Sequence, residues 1–171
     1  MKNLARHLSS FAAPIVVGFV LPYLIVVFER QSSIQAAITS SSTLLIIGLG
    51  IGLAGLVLLV TTIRMFIRIG SGTIMPWDPT KKLIIASLYG HVRNPMILSL
   101  ILLQVGEAVL FASYGIAVLA GLNFIINTSY FIYSEEPGLE KRFGKEYIEY
   151  KKNVPRWIPR LKPWRPTRST K

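Results

Sequence analysis

Apolar residues dominate four stretches of the chain, 11–28, 43–63, 96–111 and 115–133, and polar residues collect between and after them. An α-helix rises 1.5 Å per residue, so crossing ~30 Å of hydrocarbon takes ~20 residues, fewer when flanking side chains snorkel. The second and fourth stretches meet that length and the third is short. Only residues 112–114 separate the third from the fourth, which predicts a tight helical hairpin. Beyond 133 the pattern changes. Leu139, Phe143, Tyr147 and Tyr150 recur at helical spacing, with Lys141, Arg142, Lys145, Lys151 and Lys152 around them. This stripe predicts an amphipathic helix lying at a membrane surface. Glu135 and Glu136 fall at its predicted start, where a helix N-terminus favours negative charge. Pro155 and Pro159 then end helical structure and leave Arg156, Trp157 and Arg160 in a rigid interfacial tail. Residues 165–171 read as a disordered basic tip.

The expected fold is therefore an all-α integral membrane protein of about four transmembrane helices with a C-terminal amphipathic interfacial helix. Residues 64–95 form a loop, 134–160 a polar segment and 161–171 a basic tail, all within one domain. Composition agrees. The chain has 171 residues, 51% of them hydrophobic, and a mean hydropathy of +0.50, too apolar for an ordinary soluble domain. It has no cysteine, which excludes disulfides, thiolate nucleophiles and Cys metal sites, and its 2 histidines, His7 and His91, are too few for a His-rich metal centre. No metal is expected.

The formal net charge of +11 raises the question of nucleic acid. Placement along the chain answers it. Lys2 and Arg6 precede the first stretch; Arg64, Arg68, Lys81, Lys82 and Arg93 lie between the second and third; the rest follow the fourth. Only Arg30, of 19 basic residues, falls on the other side. By the positive-inside rule both termini and the central loop are cytoplasmic. The charge is mainly a topology signal and a contact for anionic lipid headgroups, and no nucleic-acid partner is expected. Lys2 and Arg6 before an apolar core also suit a cleaved signal, but Gln35-Ala36-Ala37 is too distant for its cleavage site and three more spans follow, so a retained helix is favoured.

Residues 50–55 (GIGLAG) match GxGxxG, yet a dinucleotide site needs a preceding strand and an aqueous pyrophosphate. Gly48 and Gly52 also form GxxxG, which points to a smooth helix face for close packing within or between chains. Glu107 lies eleven residues past Met96, ~16 Å along the helix, where an ionised carboxylate is costly. Gln104 one turn back and Asn123 and Asn127 on the last helix are its candidate partners. Two readings stand: interhelical polar packing, or the lining of a substrate cavity by Glu107, Asn123 and Asn127.

Two hydrophilic clusters mark the cytoplasmic ends of the hairpin. SLYGHVRNPM (87–96) enters the third helix and SEEPGLEKRFG (134–144) leaves the fourth. An antiparallel hairpin brings them together although they are some 40 residues apart. Arg93 offers a guanidinium to a carboxylate or phosphate, the paired glutamates suit a cation or proton, and Tyr89, Tyr147 and Trp157 offer ring faces.

This constellation resembles the superfamily of isoprenylcysteine carboxyl methyltransferases and phospholipid methyltransferases, closest to its bacterial and archaeal branch. The residues that carry the likeness are GSGTIMPWDPTKK (70–82), Tyr89, Val92-Arg93-Asn94-Pro95, Glu135-Glu136, Leu139, Phe143-Gly144, Tyr147, Tyr150 and Val154-Pro155-Arg156. They cover residues 70–160; the first two helices match only in being apolar. The resemblance implies a multi-pass enzyme of a prokaryotic plasma membrane that moves a methyl group from S-adenosylmethionine, taken from the cytosol, to a lipophilic acceptor arriving through the bilayer. It implies that Arg93, Glu135 and Glu136 are catalytic, and that Tyr89, His91, Val92, Asn94, Pro95, Tyr147, Tyr150 and Arg156 surround the cofactor. The acceptor stays open among a phospholipid amine, a prenylated carboxylate, a small thiol and another lipid. Relatives often carry Arg-His-Pro-x-Tyr and a following glycine; here Asn94, Ile97 and Ser99 stand at those places, and Ser87 and Gly90 replace a frequent glycine and arginine. The alternative is a non-enzymatic multipass protein that binds anionic lipid or a partner through its basic tail, its arginine and glutamates being an interhelical ion pair.

Overall fold

The computed structural model describes residues 14–29, 42–69, 83, 85 and 87–166. The motif at 70–82 with Trp77, the basic residues Lys2, Arg6, Arg30, Arg168 and Lys171, and His7 lie outside them. Among the described residues all regular structure is helical. In chain order the elements are α1 (Val16–Glu29), α2 (Ser42–Ile69), α3 (Pro95–Leu110), α4 (Tyr114–Tyr130), α5 (Glu136–Phe143) and α6 (Lys145–Asn153). Two helices are long and apolar enough to cross a membrane, Ser42–Met65 within α2 and the continuous helix Tyr114–Phe143, and α1 and α3 are shorter apolar helices. Only 17% of the apolar window of either long helix is buried, the reverse of a soluble protein's core helix. Ile46, Leu53, Val57, Val118, Ile125 and Ile126 all stand exposed.

Close backbone packing of α2 on α3 is the most extensive contact in the fold. A Cβ at Gly48 would come 2.7 Å from the Leu110 nitrogen, and one at Gly55 2.5 Å from the Leu103 nitrogen; Gly106 meets the Gly52 backbone in the same way. The glycine face is thus filled by α3 of the same chain, as small residues allow in apolar helix pairs. The α3–α4 hairpin closes through residues 111–113. Ala112 takes a left-handed φ of 49°, and the Ser113 hydroxyl caps α4 by accepting from the Ile116 N–H at 3.1 Å. At the same end, the Glu29 carboxylate accepts the Gly115 N–H at 2.7 Å, tying α1 to the N-terminus of α4.

Proline decides two irregular turns. Residues Val16–Val20 wind as a π-helix in which the Leu21 N–H reaches back to the Val16 carbonyl. Pro22 follows and brings no N–H for the Val17 carbonyl, which instead accepts from the Gln104 amide at 3.0 Å. A second π turn, Phe131–Glu135, precedes Pro137. It corrects one expectation: no helix starts at Glu135. Both glutamates have helical backbone inside one helix that runs from Tyr114 to Phe143, because the widened turn makes room for the proline ring where a regular helix would clash. The predicted single amphipathic helix is also corrected. Gly144, with φ 54° and ψ −129°, breaks it into α5 and α6, a conformation open to glycine. Its stripe is covered by protein: Tyr147, Tyr150 and Val154 form a buried cluster against Leu83, Ile85, Leu139, Phe143 and Trp164.

Candidate functional site

The segment before α3 is held as a tight coil. A 3-10 turn, Ser87–Gly90, opens on Ser87 at a left-handed φ of 54°, and the Val92 N–H then returns to the Leu88 carbonyl at 3.1 Å. Asn94, with φ −122° and ψ 62°, stays out of the helical region that a following proline disfavours, and Pro95 begins α3 at the position where its missing N–H costs nothing. Arg93 is therefore fixed at the mouth of the helix.

A strap formed by residues 154–164 crosses this coil. The Arg93 N–H donates to the Pro155 carbonyl at 2.9 Å, the Arg160 N–H to the His91 carbonyl at 2.9 Å and the Trp164 N–H to the Gly90 carbonyl at 2.8 Å. His91 Nδ1 lies 2.6 Å from the Arg160 carbonyl, a bond that only a protonated Nδ1 can donate. The Tyr150 hydroxyl donates to the Tyr89 carbonyl at 2.9 Å. Gly90 permits the approach, since a Cβ there would sit 2.9 Å from the Trp164 carbonyl oxygen.

Glu136 is the hub. It is 4% exposed, and a carboxylate so buried persists only when paired and hydrogen-bonded. Arg93 Nη1 reaches its Oε1 at 2.8 Å, Arg156 Nη2 the same oxygen at 2.7 Å, and Lys151 Nζ its Oε2 at 3.1 Å while holding Glu140 at 2.7 Å. Those two contacts, Glu140 first, push the Lys151 ammonium above its ordinary pKa. Glu135 lies beside Tyr89 and Glu136, yet among the described residues it makes no ion pair. Burial, then the Glu135 charge, pushes the Tyr89 phenol up. Tyr150 is raised by burial and then by its tyrosine neighbours, and Tyr147 by burial and then by Glu136, against the pull of Arg93. All three phenols are neutral at pH 7.

Two donors in this region are buried without a partner, Arg93 Nε and Trp157 Nε1. The Trp157 ring sits between two phenylalanines of the long helix, 5.0 Å from Phe124 and 5.8 Å from Phe131.

The structure thus gathers Tyr89, His91, Val92, Arg93, Asn94, Pro95, Glu135, Glu136, Tyr147, Tyr150 and Arg156 at one end of the α3–α4 hairpin. Among the described residues Glu107, Asn123 and Asn127 make no side-chain hydrogen bond or ion pair to this group. Asn123 donates to Gln104 at 3.1 Å and Asn127 to the Asn123 side chain at 2.5 Å, while Glu107 Oε2 is buried without a partner. An apolar cavity of about 530 Å³ between the start of α2, α3 and α4, lined by Leu44, Ile101, Val105, Ala117, Ala120 and Phe124 among others, includes none of these three. Sequence reasoning missed Lys151 as a partner of Glu136 and the bonds of the strap to residues 90–93; no local spacing signals either, because the strap folds back over some 70 residues. Among the described residues no group of three His, Asp or Glu is placed to hold a metal ion.

With this geometry in view, comparison with family models is decisive: the phospholipid methyltransferase model matches residues 43–146. The chain belongs to the phospholipid methyltransferase family. The match runs from the second residue of α2 through the coil, the hairpin and both glutamates, so it contains the Arg93–Glu136 pair. The family is one of membrane methyltransferases acting on lipid, and the exposed apolar helices agree with a membrane setting. No curated protein and no solved structure matches the chain.

Proposed function

We propose that this chain is a four-span membrane enzyme with both termini in the cytoplasm, and that it methylates a lipophilic acceptor with S-adenosylmethionine at the inner face. The orientation rests on the basic residues, which would otherwise be translocated. The observation that carries the cofactor reading is the pair of buried, unpartnered donors, Arg93 Nε and Trp157 Nε1. Two N–H groups without an acceptor suit the carboxylate of the cofactor's amino-acid portion.

The roles then divide. Arg93 and Trp157 hold that carboxylate. Glu136, already bonded through both oxygens, fixes Arg93 and Arg156. Tyr89, Tyr147 and Tyr150 brace the coil from beneath, and His91, Val92, Asn94 and Pro95 set its path. Bound S-adenosylmethionine supplies a methyl group on a cationic sulfur, open to in-line displacement. Alignment and exclusion of water are the protein's main contributions. Glu135 is the available base: an ammonium acceptor gives its proton to the Glu135 carboxylate and attacks as the neutral amine, whereas a carboxylate acceptor is already ionised.

Incubating the detergent-purified protein with methyl-labelled S-adenosylmethionine and a bacterial lipid extract tests this. Label should pass into the organic phase with wild type and be lost with Arg93→Ala. Folded wild type that leaves all label in water overturns the proposal.

A further inference from the structure

The strap carries a second, outward-facing surface. On it Ile158 is 79% exposed and Leu161 99% exposed. Along the same segment stand Arg160, Lys162 and Arg165, none with a carboxylate partner among the described residues; Arg160 Nη1 bonds only a backbone carbonyl, that of Asn153 at 2.7 Å. Residues 151–166, KKNVPRWIPRLKPWRP, contain no acid at all. Two bare aliphatic side chains thus alternate with unpaired cations along the chain.

Depth explains them. On the orientation proposed above, the apolar part of the long helix, 114–133, spans ~30 Å, which puts Phe131 ~3 Å and Phe124 ~14 Å inside the inner boundary. Trp157 packs between these two rings, so it lies ~8 Å below that boundary, within the inner leaflet. α3 points the same way: its 16 residues rise ~24 Å from the shared outer turn and leave Pro95 and Arg93 recessed. Irregular backbone at such a depth must satisfy its own polar groups. The strap does so. Pro155, Pro159 and Pro163 have no N–H to satisfy, and the Arg160 and Trp164 N–H groups bond His91 and Gly90.

We propose that the outer face of this strap is a docking site for anionic phospholipid of the inner leaflet. Ile158 and Leu161 insert among the acyl chains, and Lys162, Arg165 and Arg160 reach up to the phosphates, as long cationic side chains do at the interface. Charge complementarity selects the occupant: three uncompensated cations beside two aliphatic side chains match an anionic amphiphile. The same strap carries Arg156 and Trp157 inward, so one segment faces lipid on one side and the candidate site on the other.

The inference rests on the proposed membrane orientation, and its test separates the two. The chain has no cysteine, so Leu161→Cys, Lys152→Cys and Val118→Cys each give one labelling position, and all three native side chains are exposed. Each full-length variant, carrying an environment-sensitive fluorophore, is placed in nanodiscs of phosphatidylcholine alone or with phosphatidylglycerol. Acrylamide then quenches from water and a nitroxide-bearing lipid from the bilayer. Position 118 should respond to the lipid quencher and 152 to acrylamide. Position 161 should follow 118, with lipid quenching at least about twofold stronger when phosphatidylglycerol is present, a gain removed by Lys162→Gln/Arg165→Gln. If 118 meets lipid while 161 behaves like 152, the docking site is wrong and the orientation stands. Equal quenching at 161 in both lipids overturns the anionic preference, and a water-exposed 118 overturns orientation and docking site together.

Discussion

Two polar groupings in this molecule solve opposite problems. The first, Gln104 with Asn123 and Asn127, sits among apolar helices and is closed: Gln104, fully buried, gives its amide to the Val17 carbonyl and its oxygen to Asn123, which in turn receives Asn127. It contains no charge and links α1, α3 and α4. The second, around Glu136, is charged and open: it fixes three cations on one carboxylate yet leaves Arg93 Nε and Trp157 Nε1 without acceptors. A closed network needs nothing more. An open one has donors left to offer, and the proposed cofactor reading draws on them.

The comparison is broken most severely at its hub. Glu136→Ala leaves Arg93, Lys151 and Arg156 facing one another without their carboxylate and should cost ~3–5 kcal/mol, read as a loss of thermal stability in detergent. Its neighbour should behave otherwise. Glu135→Gln removes no ion pair and should change stability by less than ~1 kcal/mol, while methyl transfer to an amine lipid falls by roughly 10²-fold or more. Stability and activity measured on the same two preparations separate the roles of the adjacent glutamates.

The closed network gives a smaller, purely structural effect. Gln104→Leu strands the Val17 carbonyl and the Asn123 amide and should cost about 1 kcal/mol, with binding of S-adenosylhomocysteine unchanged. Lost binding at retained stability would show that the network belongs to the site after all. The smallest effect is expected at the coil. Ser87→Gly relieves a left-handed φ and should stabilise the protein by up to about 1 kcal/mol, since part of the gain is offset by the greater freedom of glycine in the unfolded chain.

Local patterns made much of this legible. The apolar runs begin within one residue of α2, α3 and α4, since a helical repeat and a length near 20 are properties of a single segment, but α2 runs on to Ile69 and the last helix to Phe143, beyond the apolar runs. Close packing at Gly48 was readable from GxxxG, and the meeting of the Arg93 and Glu136 clusters from a three-residue turn between antiparallel helices. Other features depend on contacts far apart in the chain. The stripe of Leu139, Phe143, Tyr147 and Tyr150 reads as surface-seeking, but it finds Leu83, Ile85 and Trp164 instead. Glu135 and Glu136 read as a helix start because the stripe begins after them and negative charge suits a helix N-terminus, yet the π turn carries one helix on through Pro137. Periodicity indicates that a side chain will be covered; only the tertiary fold decides by what.

Calorimetric titration of the detergent-purified protein with S-adenosylhomocysteine, beside Arg93→Ala and Trp157→Phe, tests the central claim most directly. The account predicts saturable binding by wild type, weakened by about tenfold in Trp157→Phe, which loses only the indole N–H, and more in Arg93→Ala, which loses a charged donor. Absence of binding by folded wild type, or equal binding by all three proteins, would contradict it and leave the Glu136 cluster as an ion-paired clasp between helices.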